Sequence, residues 1–136
     1  MRALALAVVA VAMLAVGSAS AGTSAATTSL KVTYWPDGGQ GSVAPQIWTL
    51  RCKPPGGTLR NPGVACRRLA AGGAKLFAPI PANAVCTEIY GGPFVARVVG
   101  TVGGKRVWAT FSRRNGCHIS RWDRLSPWLL PRIGNA

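Results

Sequence analysis

Side chains able to do covalent or metal chemistry are scarce in this chain. They are one histidine, His118, three carboxylates, Asp37, Glu88 and Asp123, and four cysteines, Cys52, Cys66, Cys86 and Cys117. A Ser-His-Asp site would need His118 with Asp37 or Asp123 as its orienting partner, but no serine stands in the Gly-flanked turn that exposes such a nucleophile. The plainer reading of His118 is an exposed or partly packed residue beside a disulfide. A two-carboxylate glycosidase would need two of the three acids brought together. No G-x-x-x-x-G-K or G-x-G-x-x-G loop is present to cradle phosphate. The cysteines contain no C-x-x-C pair, and His118 has no second histidine to join it, so neither a metal nor another cofactor is expected. The inventory points away from an enzyme.

What the cysteines do depends on where the chain works. Behind Arg2, the run Ala3 to Val16 is wholly apolar, and it leads into small residues ending in Ala19-Ser20-Ala21. The run is shorter than the roughly 20 residues that cross a bilayer. It has the charge, apolar centre and small-residue exit of a secretory signal, with cleavage expected between Ala21 and Gly22. A secreted, extracellular protein is therefore expected, and there an even number of cysteines reads as disulfides. Four cysteines allow three pairings. The sequential one, Cys52 with Cys66 and Cys86 with Cys117, would close loops of about 15 and about 32 residues, each stabilising by roughly 3 to 4 kcal/mol in the chain-entropy model.

Charge is the second strong signal. Sixteen Lys and Arg against three Asp and Glu leave a formal net charge of +13. Such a surface attracts polyanions, and outside a cell these are anionic envelope polymers, lipid headgroups and released DNA. Arg113, Arg114, Arg121 and Arg124, close in sequence to Trp108, Trp122 and Trp128, are the candidate polyanion-binding residues, although tryptophans in a domain this small are more often core. No helix-turn-helix, zinc finger or aromatic single-strand motif appears, so no specific nucleic-acid partner is expected. The plain alternative is a solubilising surface.

Residues 22–29 are small and polar and are expected to form a disordered lead-in to a single domain over 30–136. Leu30–Trp35 is β-branched and aromatic, ending at the Pro36-Asp37-Gly38-Gly39 turn, and Gln46–Cys52 alternates before Pro54-Pro55; both read as strands. Asn61 as N-cap and Pro62 at the first helical position predict a helix of about three turns that ends near Gly72-Gly73. Ala78–Pro93, with Pro79, Pro81, Gly91, Gly92 and Pro93, predicts an ordered, exposed, extended loop. Phe94–Val102 and Arg106–Ser112 flank Gly103-Gly104 as a β-hairpin. For Ile119–Leu130 a short helix before Pro127 and an edge segment folded onto the sheet both remain open.

Taken together, Leu50-Arg51-Cys52-x-Pro54-x-Gly56-Gly57-Thr58, Ala65-Cys66-x-x-Leu69, Cys86-x-x-x-Tyr90, a Val-rich strand with a Gly-Lys hairpin, and Asn115-Gly116-Cys117 resemble the Streptomyces subtilisin inhibitor family of secreted serine protease inhibitors. The likeness spans about residues 30 to 120. It implies an α+β fold, a five-stranded antiparallel sheet packed with two short helices, with disulfides Cys52–Cys66 and Cys86–Cys117. It also implies dimerisation through a sheet face, giving a homodimer, and an inhibitory loop over Cys86, Thr87, Glu88, Ile89 and Tyr90. In the family the reactive bond lies two residues after the third cysteine. Carried onto this chain that bond is Glu88-Ile89, with Thr87 as P2, Glu88 as P1, Ile89 as P1′ and Tyr90 as P2′.

The chain differs from the family pattern in the residues around the bond and at P1 itself. Thr87 replaces a usual proline before P1, and Gly91-Gly92 intervenes before Pro93, adding backbone freedom where rigidity matters. Glu88 is also an unusual P1, because a carboxylate entering an apolar or acidic S1 pocket loses hydration without gaining a partner. A glutamate-preferring extracellular serine protease with a basic pocket is the partner this implies. The bland reading of Glu88 is a solvated carboxylate offsetting nearby arginines. Two functions follow: a protease inhibitor using this loop, or a non-inhibitory basic module that holds anionic envelope polymers.

Overall fold

The computed structural model describes residues 26–134. The expected signal segment 1–21 and the start of the expected lead-in lie outside the described residues. Among the described residues, no helix is long and apolar enough to cross a membrane.

Four strands form one antiparallel sheet: β1 (Thr28–Trp35), β2 (Gln46–Cys52), β3 (Val95–Val102) and β4 (Lys105–Ser112), in the order β2-β1-β3-β4. The strand β1 begins two residues before the expected domain start, because Thr28 and Ser29 pair with Cys52 and Arg51. The Thr28 hydroxyl also accepts the N–H of Gly103 at 2.9 Å. Alternation sets one face of each strand inward: Leu30, Val32 and Tyr34 from β1, Leu50 from β2, Ala96, Val98 and Val102 from β3, and Val107, Ala109 and Phe111 from β4 are all buried. The β3–β4 turn is Gly103-Gly104, with φ of 56° and 79°. Positive φ at both positions is the two-residue turn whose twist suits a hairpin.

The helices cover the inward face. Helix α1 (Pro62–Gly72) contributes Ala65 and Leu69, and a 3-10 turn over Gly73–Phe77 adds Phe77. Asn61 starts α1 differently from expectation: it is in the left-handed region (φ 56°) and its side chain makes no cap, a conformation that Asn tolerates better than most residues. Helix α2 (Gly116–Asp123) starts where the Asn115 side chain accepts the N–H of His118 at 3.1 Å. Beyond it the chain turns back, so that Leu125, Trp128, Leu129 and Leu130 join Trp122 in the core. Each buried indole N–H finds a carbonyl: Trp122 donates to Pro131 at 3.0 Å and Trp128 to Arg124 at 3.0 Å. Of the two readings left open for 119–130, a short helix before Pro127 is the one found, starting earlier at Gly116 and ending at Asp123.

The sheet has four strands where the family resemblance implied five. The long connection from Ala78 to Phe94 supplies none, since Pro79, Pro81 and Pro93 lack the N–H that a ladder requires. After β4, the Asn115 cap sends the chain into α2 instead. The two disulfides are Cys52–Cys66, joining β2 to α1, and Cys86–Cys117, joining the long loop to α2.

Arg121 ties three of these pieces together and is only 6% exposed. It donates to the carbonyls of Phe77 (2.9 Å), Ala78 (2.8 Å) and Thr110 (2.7 Å), while its guanidinium lies 4.0 Å from the centre of the Phe111 ring. Replacing it leaves three carbonyls without a donor. Arg121→Met is therefore expected to lower the unfolding free energy by about 3 to 5 kcal/mol. Arg121→Lys should recover only part of that, because one ammonium cannot serve carbonyls from a fork. Urea denaturation of the oxidised domain checks both.

Candidate functional site

The loop from Ala78 to Phe94 has no regular secondary structure, yet its main chain is held at several points. The disulfide fixes Cys86. One residue on, the Thr87 carbonyl accepts the N–H of Gly116 at 3.0 Å, and beyond Tyr90 the N–H of Gly91 donates to the Arg113 carbonyl at 2.7 Å. All three anchors belong to Arg113–Cys117, the segment linking β4 to α2. They bracket Thr87–Tyr90 from both sides. Further back, Arg121 holds the carbonyls of Phe77 and Ala78 where the loop departs.

Between the anchors, and at Val85 just before them, the side chains face solvent. Val85 is 98% exposed, Ile89 62% and Tyr90 65%, and Thr87 and Glu88 are exposed with them. Three large apolar side chains standing largely open on one ordered loop form an exposed contact surface. Glu88 makes no ion pair or hydrogen bond among the described residues, where the one ion pair is Arg113–Asp123 at 2.6 Å. The carboxylate is not consumed in offsetting an arginine. Asp37 is spent on its own turn, accepting the N–H groups of Gly39, Ser42 and Val43.

The glycines that looked like added freedom are points of close approach. A side chain on Gly91 would press on Ile119 and Arg113 at 2.9 to 3.1 Å. Gly92 has φ +103°, and a Cβ there would run into the Phe94 ring. Gly116 matters most, because a Cβ on it would collide with the Thr87 side chain at the point where the Gly116 N–H meets the Thr87 carbonyl. Sequence reasoning placed Gly116 in a motif without assigning it this task; its signal was its place directly before Cys117.

The expected arginine cluster is not a surface cluster. Arg113 is 8% exposed and paired with Asp123, and Arg121 is buried as described, so two of the four candidate polyanion-binding residues, Arg113 and Arg121, face inward. Formal charge in a sequence does not tell which guanidiniums the fold spends on carbonyls and carboxylates. Arg114 and Arg124 are exposed. Trp122 and Trp128 are core residues, while Trp108 is open to solvent.

His118 lies in α2 beside the disulfide, with Arg114, Trp108 and Cys86 along one groove of about 610 Å³. Its Nε2 accepts from Arg114 Nε at 3.0 Å. Burial, and then the charges of Arg114 and Arg121, hold its pKa below the ordinary value of 6.5. Asp123 is committed to Arg113 and Asp37 to its turn, so the carboxylates considered as orienting partners for a triad are occupied elsewhere. Among the described residues, no three His, Cys, Asp or Glu side chains are gathered to hold a metal.

Comparison with known proteins places the chain in a family. The family model described as subtilisin inhibitor-like matches residues 26–115. No curated protein matches the chain. Among solved structures, it is similar to Streptomyces caespitosus sermetstatin in complex with Bacillus licheniformis subtilisin, at 25% identity and TM-score 0.47, over 70% of this chain and 90% of that one.

Two predictions follow from the anchors and from His118. Gly116→Ala should displace Thr87 and weaken its main-chain tether, so the loop should be nicked several-fold faster in limited proteolysis, and Thr87→Gly in the same chain should relieve the effect. The His118 imidazole binds a proton more readily in the unfolded chain than in the folded one, so its contribution to stability is complete above about pH 6.5 and drains away as pH falls below it. Denaturation midpoints measured from pH 7 to pH 5 should fall, and His118→Gln should fall less steeply.

Proposed function

The chain belongs to the subtilisin inhibitor-like family, and from that premise we propose that it inhibits a secreted serine protease by presenting Glu88-Ile89 as a bond that is attacked but not released. Family membership makes it an inhibitor-type domain and not an enzyme. The observation that carries the reading is the pair of main-chain tethers from Arg113 and Gly116, one on each side of the bond.

An extended loop enters a protease cleft as a substrate does, and a loop already ordered loses little further entropy on docking. Attack on the Glu88 carbonyl would form an acyl-enzyme at Glu88 and free the amine of Ile89. Upstream, Cys86 and Thr87 hold the acyl side to Gly116-Cys117. Downstream, Gly91 holds the amine side to Arg113. The new amine therefore stays beside the acyl group at high effective concentration, and re-formation of the peptide bond competes with hydrolysis. Ile89 and Tyr90, exposed in the free domain, would be covered by the enzyme on the leaving-group side.

Glu88 as P1 sets the target class. Its unpaired, exposed carboxylate can enter a basic S1 pocket without first breaking an internal contact, whereas an apolar or acidic pocket would strip its hydration without return. The proposed partner is accordingly a glutamate-preferring extracellular serine protease, reached after removal of residues 1–21 and action of the remaining chain outside the cell.

Titration of the oxidised domain against a glutamate-preferring protease, subtilisin and trypsin tests this. Stoichiometric inhibition of the first is expected, with Glu88→Lys weakening it by about 100-fold or more, equal to about 2.7 kcal/mol, and gaining inhibition of trypsin. Rapid cutting of the native loop by all three, without inhibition, would sink the reading.

A further inference from the structure

The helical layer has an outer side of its own, turned away from the sheet. On α1, Ala65 and Leu69 face the core, while Val64, Arg67 and Arg68 are exposed. The stretch from Arg60 to Lys75 carries four cations and no Asp or Glu. Arg67 lies back along the helix, its Nη1 3.6 Å from where a Cβ on Gly63 would stand. Arg60 and Arg68 stand with Asn61, Val64, Pro127 and Trp128 around a recess of about 220 Å³. Pro127 also lines a second recess, of about 480 Å³, whose walls include Ser126, Arg132 and the Arg113–Asp123 pair. A strip of guanidiniums thus runs from Arg60 past Arg68 and across Pro127 to Arg132, and the carboxylate beside it is already bonded to Arg113. The Arg68 guanidinium lies 5.7 Å from the centre of the Trp128 ring. Stacking on an indole holds the fork in place, so less rotamer freedom is lost when it meets an anion.

We propose that this strip binds a linear phosphodiester polymer, its phosphates meeting Arg60, Arg67, Arg68 and Arg132. Charge complementarity selects a polyanion, and guanidinium forks match the paired oxygens of a phosphate. Apolar content and shape select which one. A membrane-binding face needs large apolar side chains to sink among the headgroups. Along this strip, among the described residues, the large hydrophobic that stands open is Val64, at 37% exposed, while Trp128 is only 8% exposed. A nucleic acid would bring bases and find no open ring to stack them on. A chain of phosphates and small polyols asks for neither, and two recesses astride Pro127 suit a thread better than a plane. The strip lies on the side opposite the sheet's outer face, so a homodimer through the sheet face, as the family resemblance implies, would leave it open on both copies. No residue of Cys86–Tyr90 lines either recess, and the proposal does not rest on the inhibitory loop.

Fluorescence anisotropy with end-labelled poly(glycerol phosphate), titrated with the oxidised domain at several salt concentrations, tests the proposal. Phosphatidylglycerol vesicles, which carry the same phosphodiester on a membrane plane, and oligo-dT serve as comparison probes at equal phosphate. The polymer should bind at least as tightly as either. Arg60→Gln combined with Arg68→Gln should weaken polymer binding about tenfold and lower its salt slope by about 1.4, the value of two phosphate contacts on a single flexible strand. Arg60→Gln combined with Arg132→Gln leaves the Arg68–Trp128 stack intact and should do the same, so a folding defect in the first pair does not spoil the test. Lys31→Gln combined with Arg106→Gln removes equal charge from exposed positions on the sheet's outer face and should change affinity by less than about threefold. Equal losses from both faces, polymer binding unchanged in the strip pairs, or tighter binding to vesicles or oligo-dT would each overturn it.

Discussion

Backbone that belongs to no ladder and no helix keeps one ordered conformation only if contacts outside it offset the conformational entropy lost in ordering it. The loop from Ala78 to Phe94 meets that constraint by drawing on a single stretch of chain. Arg121 binds its first carbonyls, Gly116 and Cys117 bind its middle, and the Arg113 carbonyl binds its far side. All of these lie between the end of β4 and the end of α2. That stretch is fixed in turn by the buried Phe111 and Trp122 at its two ends and by the Arg113–Asp123 pair across it. The core therefore does more than stabilise the sheet. It holds still the one segment that keeps the loop open.

The same economy explains where the arginines went. A chain with three carboxylates has few to pair with buried cations, and Arg121, left without one, is accommodated by carbonyl oxygens and an aromatic face. Asp123 is used for Arg113 and Asp37 for its own turn, which leaves Glu88 as the carboxylate that the described fold does not use. Each acid has a separate setting. In a protein of this charge, a free carboxylate on an exposed loop is a conspicuous local feature.

Much of this was legible in the residue order, and the boundary of legibility is physical. Strand β2, the Gly103-Gly104 hairpin, α1 and the irregular loop are announced by alternation, turn residues and prolines, which act within a few positions. The two disulfides came through resemblance, since three pairings were open to residue spacing alone. What was missed depends on contacts distant in sequence. The burial of Arg113 and Arg121 is set by partners on other elements, and the burial of Leu125–Leu130 by chain reversal after α2. The role of Gly116 is set by Thr87, 29 positions earlier. The fifth strand failed for the opposite reason: it was an inference from a family fold, and the prolines of this loop argue against it locally.

Electrostatics in this molecule act at two ranges. The fifteen Lys and Arg that follow residue 21 set the long-range field, which governs encounter and weakens over about 8 Å at physiological salt. In the inhibitory role we propose, Glu88 would act only at contact, where a pocket has closed around it and water is gone. A strongly basic domain that offers a carboxylate at its tip thus separates approach from selection. Anionic surfaces of many kinds are drawn toward it, but only a pocket carrying positive charge gains by accepting Glu88. The basic field does not contradict the acidic P1 residue we propose, because the interactions that bring a partner near are not the ones that decide whether it stays.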